Sequence, residues 1–201
     1  ALFFMITKKV YKHITVFCAS SAMVDKTYHD AAYTLGKLLA ENSITCVCGA
    51  GNCGLMRAVS DGTLDNGGKT IGVIPRFMVD NGWCHPHLTE TIITEDMHER
   101  KETMSRLADA VIALPGGCGT LEELLEIITW KQLGLYHGEI IILNTNGYYN
   151  HLLSMLNHCV NEKFMKKSHS TLWHVAQTPK EAMDILNSIN PQTEQIIESK
   201  Y

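Results

Sequence analysis

The residues best placed to do chemistry lie in Pro115-Gly116-Gly117-Cys118-Gly119-Thr120-Leu121-Glu122-Glu123, where three glycines in four positions run into paired carboxylates. The apolar run Ala110 to Leu114 precedes them, and Leu121, Leu124, Leu125 and Ile128 follow at helical spacing. A strand, a glycine-rich turn and a helix from Leu121 to about Leu133 are therefore expected. Glycines let backbone approach a ligand closely and adopt dihedrals closed to other residues, while the first N–H groups of a helix have no internal acceptor. Together they make an anion site, for phosphate above all. Thr120-x-x-Glu123 also reads as a capping box worth on the order of 1 kcal/mol. A glutamate so placed stands beside the anion-binding N–H groups, within reach of the sugar of a bound nucleotide, and a neighbouring phosphate would raise its pKa. Glu122 and Glu126 read as solvated or packing partners.

Arg100-Lys101 lies one turn into the helix expected after Asp96-x-x-Glu99, a second capping box. Such a pair ordinarily marks a solvated face. This helix leads into the strand before the glycine loop, however, so its first turn can face the same crevice and offer paired donors to a phosphate or sugar. Gly49-x-Gly51-x-x-Gly54 satisfies a dinucleotide fingerprint. It follows the second strand, and Pro75-Arg76 stands where an acidic ribose ligand should end the third. Tight turning and close helix packing explain these glycines equally well; an NADP-dependent enzyme is the redox alternative. Cys46-x-Cys48 and His85-x-His87 are too closely spaced for the usual zinc pairs, so neither a metal nor a cofactor is expected.

These groups need a scaffold. Strands are expected at Ile14–Cys18, Ile44–Cys48, Ile71–Ile74, Thr91–Thr94, Ala110–Leu114, Ile140–Leu143 and Leu172–Val175. Helices are expected over Tyr28–Glu41, Leu55–Asn66, Asp96–Leu107, Leu121–Leu133, Tyr148–Asn161 and Pro179–Ile189, with Arg76–Pro86 a loop. Alternating strands and helices specify a doubly wound α/β fold, Rossmann-like, with a mostly parallel sheet covered on both faces. Ligands of such folds bind beyond the carboxyl ends of the strands. Ser20, Gly49 to Gly54 and Gly116 to Thr120 all fall there.

The 201 residues fit a single nucleotide-binding domain, with 1–12 and 191–201 as peripheral tails and Met5 as a candidate start. A net charge of −4, with 17 basic residues and no basic cluster, argues against nucleic acid as a partner. No segment approaches the roughly 18 apolar residues of a membrane span. Seven cysteines without C-x-x-C spacing suggest reduced thiols in the cytoplasm.

With these stretches in hand, the chain resembles the LOG ("lonely guy") family of cytokinin riboside 5′-monophosphate phosphoribohydrolases, many of whose members carry the older label lysine decarboxylase. Pro115 to Glu123 matches the family's P-G-G-x-G-T-x-x-E. Met97, Arg100 and Lys101 match M-x-x-R-K, and Gly49 to Met56 resembles G-G-G-x-x-G-L-M with Ala50 at the middle glycine. Phe17 to Ser21 is similar to the family's first strand-loop. Nothing marks a pyridoxal-phosphate lysine. The resemblance implies hydrolysis of the N-glycosidic bond of a purine nucleoside 5′-monophosphate to free base and ribose 5-phosphate, without a cofactor and in a homodimer. It marks Glu123 and Arg100 as catalytic. It implies substrate contacts from Gly116, Gly117, Gly119, Thr120 and Lys101, with Gly49, Gly51, Ser20 and Thr129 as further contributors. Phe77 to Glu90 departs from the family pattern where the base pocket is expected, which leaves adenine and N6-substituted adenine both open. A nucleotide-binding sensor or carrier without catalysis is the alternative from another class.

Overall fold

The computed structural model describes residues 10–189; the expectations for Met5 and for the tail after Pro191 fall outside them. Seven strands and seven helices alternate: β1 His13–Phe17, α1 Lys26–Glu41, β2 Thr45–Cys48, α2 Gly54–Leu64, β3 Thr70–Pro75, α3 Arg76–Asp80, β4 Glu90–Thr94, α4 Met97–Leu107, β5 Ala110–Ala113, α5 Cys118–Gln132, β6 Glu139–Leu143, α6 Asn150–Asn161, β7 His174–Ala176 and α7 Pro179–Ser188. All strand pairs are parallel, in the order β4-β3-β2-β1-β5-β6-β7. The chain winds outward one way from β1 and the other way from β5. Their shared border is the topological switch point.

The sheet is buried on both faces, which is why its strands read as continuous apolar runs. Along β5 and just beyond it, Ala110, Ile112 and Leu114 join the core under α1, α2 and α7. Val111 and Ala113 join the core under α4, α5 and α6. Leu35 and Leu39 of α1 are fully buried, each contributing roughly 1.5–3 kcal/mol. α1 meets α2 almost backbone to backbone: a Cβ on Gly36 would lie 2.1 Å from the Val59 carbonyl oxygen.

Helix starts follow their capping residues. The Asp25 carboxylate accepts from Thr27 N–H at 2.8 Å, and Asp96 accepts from His98 and Glu99 N–H at 2.8 and 2.9 Å. Glu99 reaches back to Glu95 N–H at 2.7 Å, closing α4's first turn.

The expected start of α5 needs correction. The helix begins at Cys118, with Gly117 as its N-cap, so Thr120 lies inside the first turn and the Thr120/Glu123 capping box does not form. The apolar stripe is also rotated: Leu124, Ile127 and Ile128 are buried while Leu125 is 39% exposed. Two further elements differ. Arg76–Pro86 contains the short helix α3, hidden from sequence by its five-residue length. The expected helix over Tyr148–Asn161 starts at Asn150, because Asn146 and Gly147 take positive φ (54° and 69°) in a tight turn before it.

Candidate active site

A cleft of about 650 Å³ opens at the carboxyl ends of β1 and β5. One side is the β5–α5 loop. Leu121 N–H makes the bond to Gly117 O at 3.0 Å, so the N–H groups of residues 118–120, ahead of it in the first turn, have no acceptor within the helix. They form the open N-terminus expected of an anion cradle.

The glycines, however, are not there for unusual dihedrals. Gly116, Gly117 and Gly119 are absent from the positive-φ glycines, and Gly117 sits at φ −81°, ψ −158°. Space is what they supply. Added Cβ atoms on Gly117 and Gly119 would meet nothing within 4 Å, whereas one on Gly116 would lie 2.1 Å from Thr120 Oγ1. Two glycines keep the cradle open and the third lets the loop close onto its helix.

The second glycine-rich turn is built differently. Leu55 and Met56 N–H, at the start of α2, both donate to Ala19 O at 2.9 and 3.2 Å. Gly54 takes φ +62°, and a Cβ there would sit 2.5 Å from the Ser20 carbonyl carbon. The β1 loop thus occupies two of the first N–H groups of this helix, donors that a dinucleotide fingerprint would offer to a pyrophosphate. Ala50 itself adopts φ 59°, the left-handed conformation a glycine would take more easily.

Arg100 and Glu123 meet in the cleft, from α4 and α5. Arg100 is buried: Nε donates to Val73 O and Nη2 to Gly49 O, both at 3.0 Å. These bonds fix the guanidinium and leave Nη1 3.8 Å from Glu123 Oε1. Gly49 makes this possible, since a Cβ there would fall 1.9 Å from Nη2. Glu123 is 11% exposed. Burial raises its pKa from 4.5 to about 7, with Arg100 opposing the shift and Glu122 adding to it.

The remaining wall is apolar. Met56, Ile74, Met78, Trp83, Met97 and Met104 line it. Trp83 is carried by a strap clamped to the Gly49 turn: His85 N–H donates to Ala50 O at 2.8 Å and Asn52 N–H to Trp83 O at 2.9 Å. The strap is pinned to α2 by buried His85, whose Nε2 lies 2.9 Å from Asp61 Oδ1. His85-x-His87 thus anchors a loop. Periodicity could not reveal this wall; the resemblance points to the stretch Phe77 to Glu90, which supplies Met78 and Trp83.

The structure brings Ser20, Gly49, Gly51, Arg100, Gly117, Gly119, Thr120 and Glu123 to this cleft. Three expected contributors, Lys101, Thr129 and Gly116, do not line it. Lys101 is buried against the other side of α5, its Nζ 2.7 Å from Glu122 Oε1 and 3.2 Å from Glu126 Oε1. Burial pulls its pKa down, but the two carboxylates more than offset this and leave it raised. The Thr129 hydroxyl donates to Leu125 O at 2.8 Å, nine residues beyond Thr120, or about 13 Å along the helix. Glu122 reads as Lys101's partner, not as a free solvated charge. Gly116 stands behind the cradle instead of lining it.

Comparison with known proteins places this arrangement. A family described as "possible lysine decarboxylase" matches residues 56–186. The chain belongs to this family. Among its relatives is the probable cytokinin riboside 5′-monophosphate phosphoribohydrolase LOGL2 of Oryza sativa subsp. japonica, 42% identical over 96% of this chain and 79% of that protein. Another is the cytokinin riboside 5′-monophosphate phosphoribohydrolase LOG5 of Arabidopsis thaliana, 40% identical over 96% of this chain and 84% of its own length. The resemblance carried by the three motifs is thereby borne out. The X-ray structure of TM1055 superposes with a TM-score of 0.71 at 26% identity, over 89% of this chain and 99% of that one. The molybdenum cofactor binding protein of Rippkaea orientalis, at 23% identity and TM-score 0.69 over 89% and 96% of the two chains, shares the fold. No lysine lines the cleft of this chain, and Lys101 is paired with Glu122 and Glu126.

Proposed function

We propose that this protein hydrolyses the N-glycosidic bond of a purine nucleoside 5′-monophosphate, releasing the free base and ribose 5-phosphate. The observation that carries the reading is the buried Glu123 carboxyl, set 3.8 Å from Arg100 Nη1 in the same cleft as the open α5 N-terminus. Related proteins carry phosphoribohydrolase names, and the site has the parts that reaction needs. The 5′-phosphate sits on the N–H groups of Gly117 to Thr120, with Ser20 opposite. This places C1′ towards Glu123. Breaking the C1′–N bond develops positive charge on the sugar, which an adjacent carboxylate stabilises. The water oxygen bonds to C1′ as the C1′–N bond breaks, and Glu123 takes one proton of the water. The base departs with the bonding pair and picks up a proton from solvent, and Glu123 then releases its own to solvent, so that one water is consumed. Arg100 orients Glu123 and keeps a positive charge at the site through Nη1, while Nε and Nη2 anchor the group on the Val73 and Gly49 carbonyls. No step calls for a metal or redox cofactor.

The apolar wall of methionines and Trp83 suits a purine carrying a bulky apolar N6 substituent, so isopentenyladenosine monophosphate should be preferred over AMP. The α5 face left open by Leu125, together with exposed Leu133 and Leu135, supports a homodimer. Free thiols at all seven cysteines fit a reducing cytoplasm, and no helix among the described residues is long and apolar enough to cross a membrane. Incubation with AMP and with isopentenyladenosine monophosphate, followed by assay of free base and ribose 5-phosphate, tests the activity. Tight binding of both nucleotides with no release of base would make the protein a binding module instead.

A further inference from the structure

Three successive carbonyls at the turn from β5 to α5 are each held by a donor from elsewhere. Leu114 O accepts from the Tyr149 hydroxyl at 2.6 Å, and Pro115 O from Ala19 N–H at 3.2 Å. Gly116 O accepts from the Tyr148 hydroxyl at 2.7 Å. Within a planar trans peptide the carbonyl of one residue and the N–H of the next point in opposite directions. Fixing a carbonyl therefore aims the following N–H. Tyr148 aims Gly117 N–H, the residue that caps α5 and lines the cleft. Tyr149 aims nothing, because the residue after Leu114 is a proline without an N–H.

The tyrosines are themselves positioned. The turn at Asn146 and Gly147 is followed by Tyr149 N–H donating to Asn144 Oδ1 at 2.7 Å, while Asn144 Nδ2 donates to Asn150 Oδ1 at 2.9 Å. The Tyr148 ring packs edge-on to Tyr149, centroids 5.1 Å apart, and to Tyr28 of α1 at 6.0 Å. Two aromatic neighbours thus hold a hydroxyl that has one carbonyl to reach.

We infer that Tyr148 is a positioning residue for phosphate recognition: it orients the Gly116–Gly117 peptide so that Gly117 N–H points at the 5′-phosphate, while its neighbour Tyr149 only stabilises the fold. This rests on the function proposed above.

The test compares wild type, Tyr148→Phe and Tyr149→Phe, all as the full chain, for calorimetric binding of ribose 5-phosphate and AMP, for adenosine as the phosphate-free probe, and for melting temperature. Tyr148→Phe keeps the ring contacts and loses only the hydroxyl. Its affinity for ribose 5-phosphate and AMP should fall about tenfold, the scale of one well-oriented hydrogen bond to a charged group, with adenosine binding unchanged. Tyr149→Phe should lower the melting temperature and leave the AMP-to-adenosine affinity ratio as in wild type. The inference is overturned if Tyr148→Phe binds ribose 5-phosphate like wild type, if it loses AMP and adenosine in equal proportion, or if Tyr149→Phe shifts the ratio as far. Wild-type protein that binds neither AMP nor ribose 5-phosphate overturns the functional reading itself, and this inference with it.

Discussion

Replacing Glu123 by Gln should make the protein more stable and less active at once, and the two effects should part company with pH. In the folded protein burial holds the Glu123 carboxyl at about 7, against 4.5 for an ordinary glutamate. Between those values the unfolded chain has released the proton and the folded chain still holds it, so the stability of the wild type falls as pH rises from 4.5 to 7 and then levels off. At 1.36 kcal/mol per pH unit, the difference amounts to about 3 kcal/mol. Glutamine has the same shape and no charge to desolvate. Arg100 keeps its bonds to Val73 O and Gly49 O without the carboxylate. The variant should therefore match the wild type near pH 4.5 and exceed it by about 3 kcal/mol at pH 8, or about 6–12 °C in melting temperature for a chain of this length. Turnover should drop by about 10²–10⁴, the usual contribution of a positioned acid or base. Wild-type activity should rise through about pH 7 as Glu123 ionises. Thermal unfolding of both proteins across this pH range, beside release of free base, is the assay. A stability gap that is absent at pH 8, or the same at pH 4.5 and pH 8, would show that Glu123 is not held protonated by its surroundings.

Gly119→Ala should fold normally, because its added methyl meets nothing within 4 Å. Alanine in the first turn should even stabilise by up to about 1 kcal/mol. The methyl would occupy cradle space, so kcat/KM for a nucleoside monophosphate should fall at least about tenfold, one charge-assisted hydrogen bond's worth; undiminished kcat/KM would remove Gly119 from the phosphate site. Gly49→Ala puts a methyl 1.9 Å from Arg100 Nη2, while Gly51→Ala meets only the flexible end of Met56 at 2.9 Å. The first should lose turnover by about 10² through a displaced guanidinium and the second far less, so equal losses would show that Gly49 does not act through Arg100.

Much of the architecture could be read without coordinates because its physics is local. Apolar runs buried on both faces mark parallel strands, and Asp96 caps the helix it precedes. What escaped depends on distant groups. Whether Arg100 and Lys101 face solvent or core cannot be decided by a helical pattern in which both are polar. The answer comes from Val73 and Gly49 carbonyls for one and from Glu122 and Glu126 for the other. Likewise the α5 stripe misplaces Leu125, since a helix with apolar residues on several faces gives no unique inward direction.

The two glycine-rich turns show most clearly where sequence spacing stops being informative. Each follows a strand and opens a helix, and by motif the Gly49 turn is the better nucleotide fingerprint. Yet Ala19 O takes the Leu55 and Met56 N–H groups of α2, so the Gly49 turn has fewer donors to offer an anion and instead leaves room for Arg100. At the β5–α5 loop Leu114 N–H donates to Phe17 O, while the other groups bonded to the turn, Ala19 N–H and the Tyr148 and Tyr149 hydroxyls, are donors that bind its carbonyls. Ala19 takes part at both turns, its carbonyl accepting at one helix N-terminus and its N–H helping to fix the loop at the other. A single residue at the end of β1, beside the switch point, thus occupies donors at one helix N-terminus and holds a carbonyl of the loop that leads to the other. Glycine count and spacing carry none of that information, because it resides in which backbone groups already have partners.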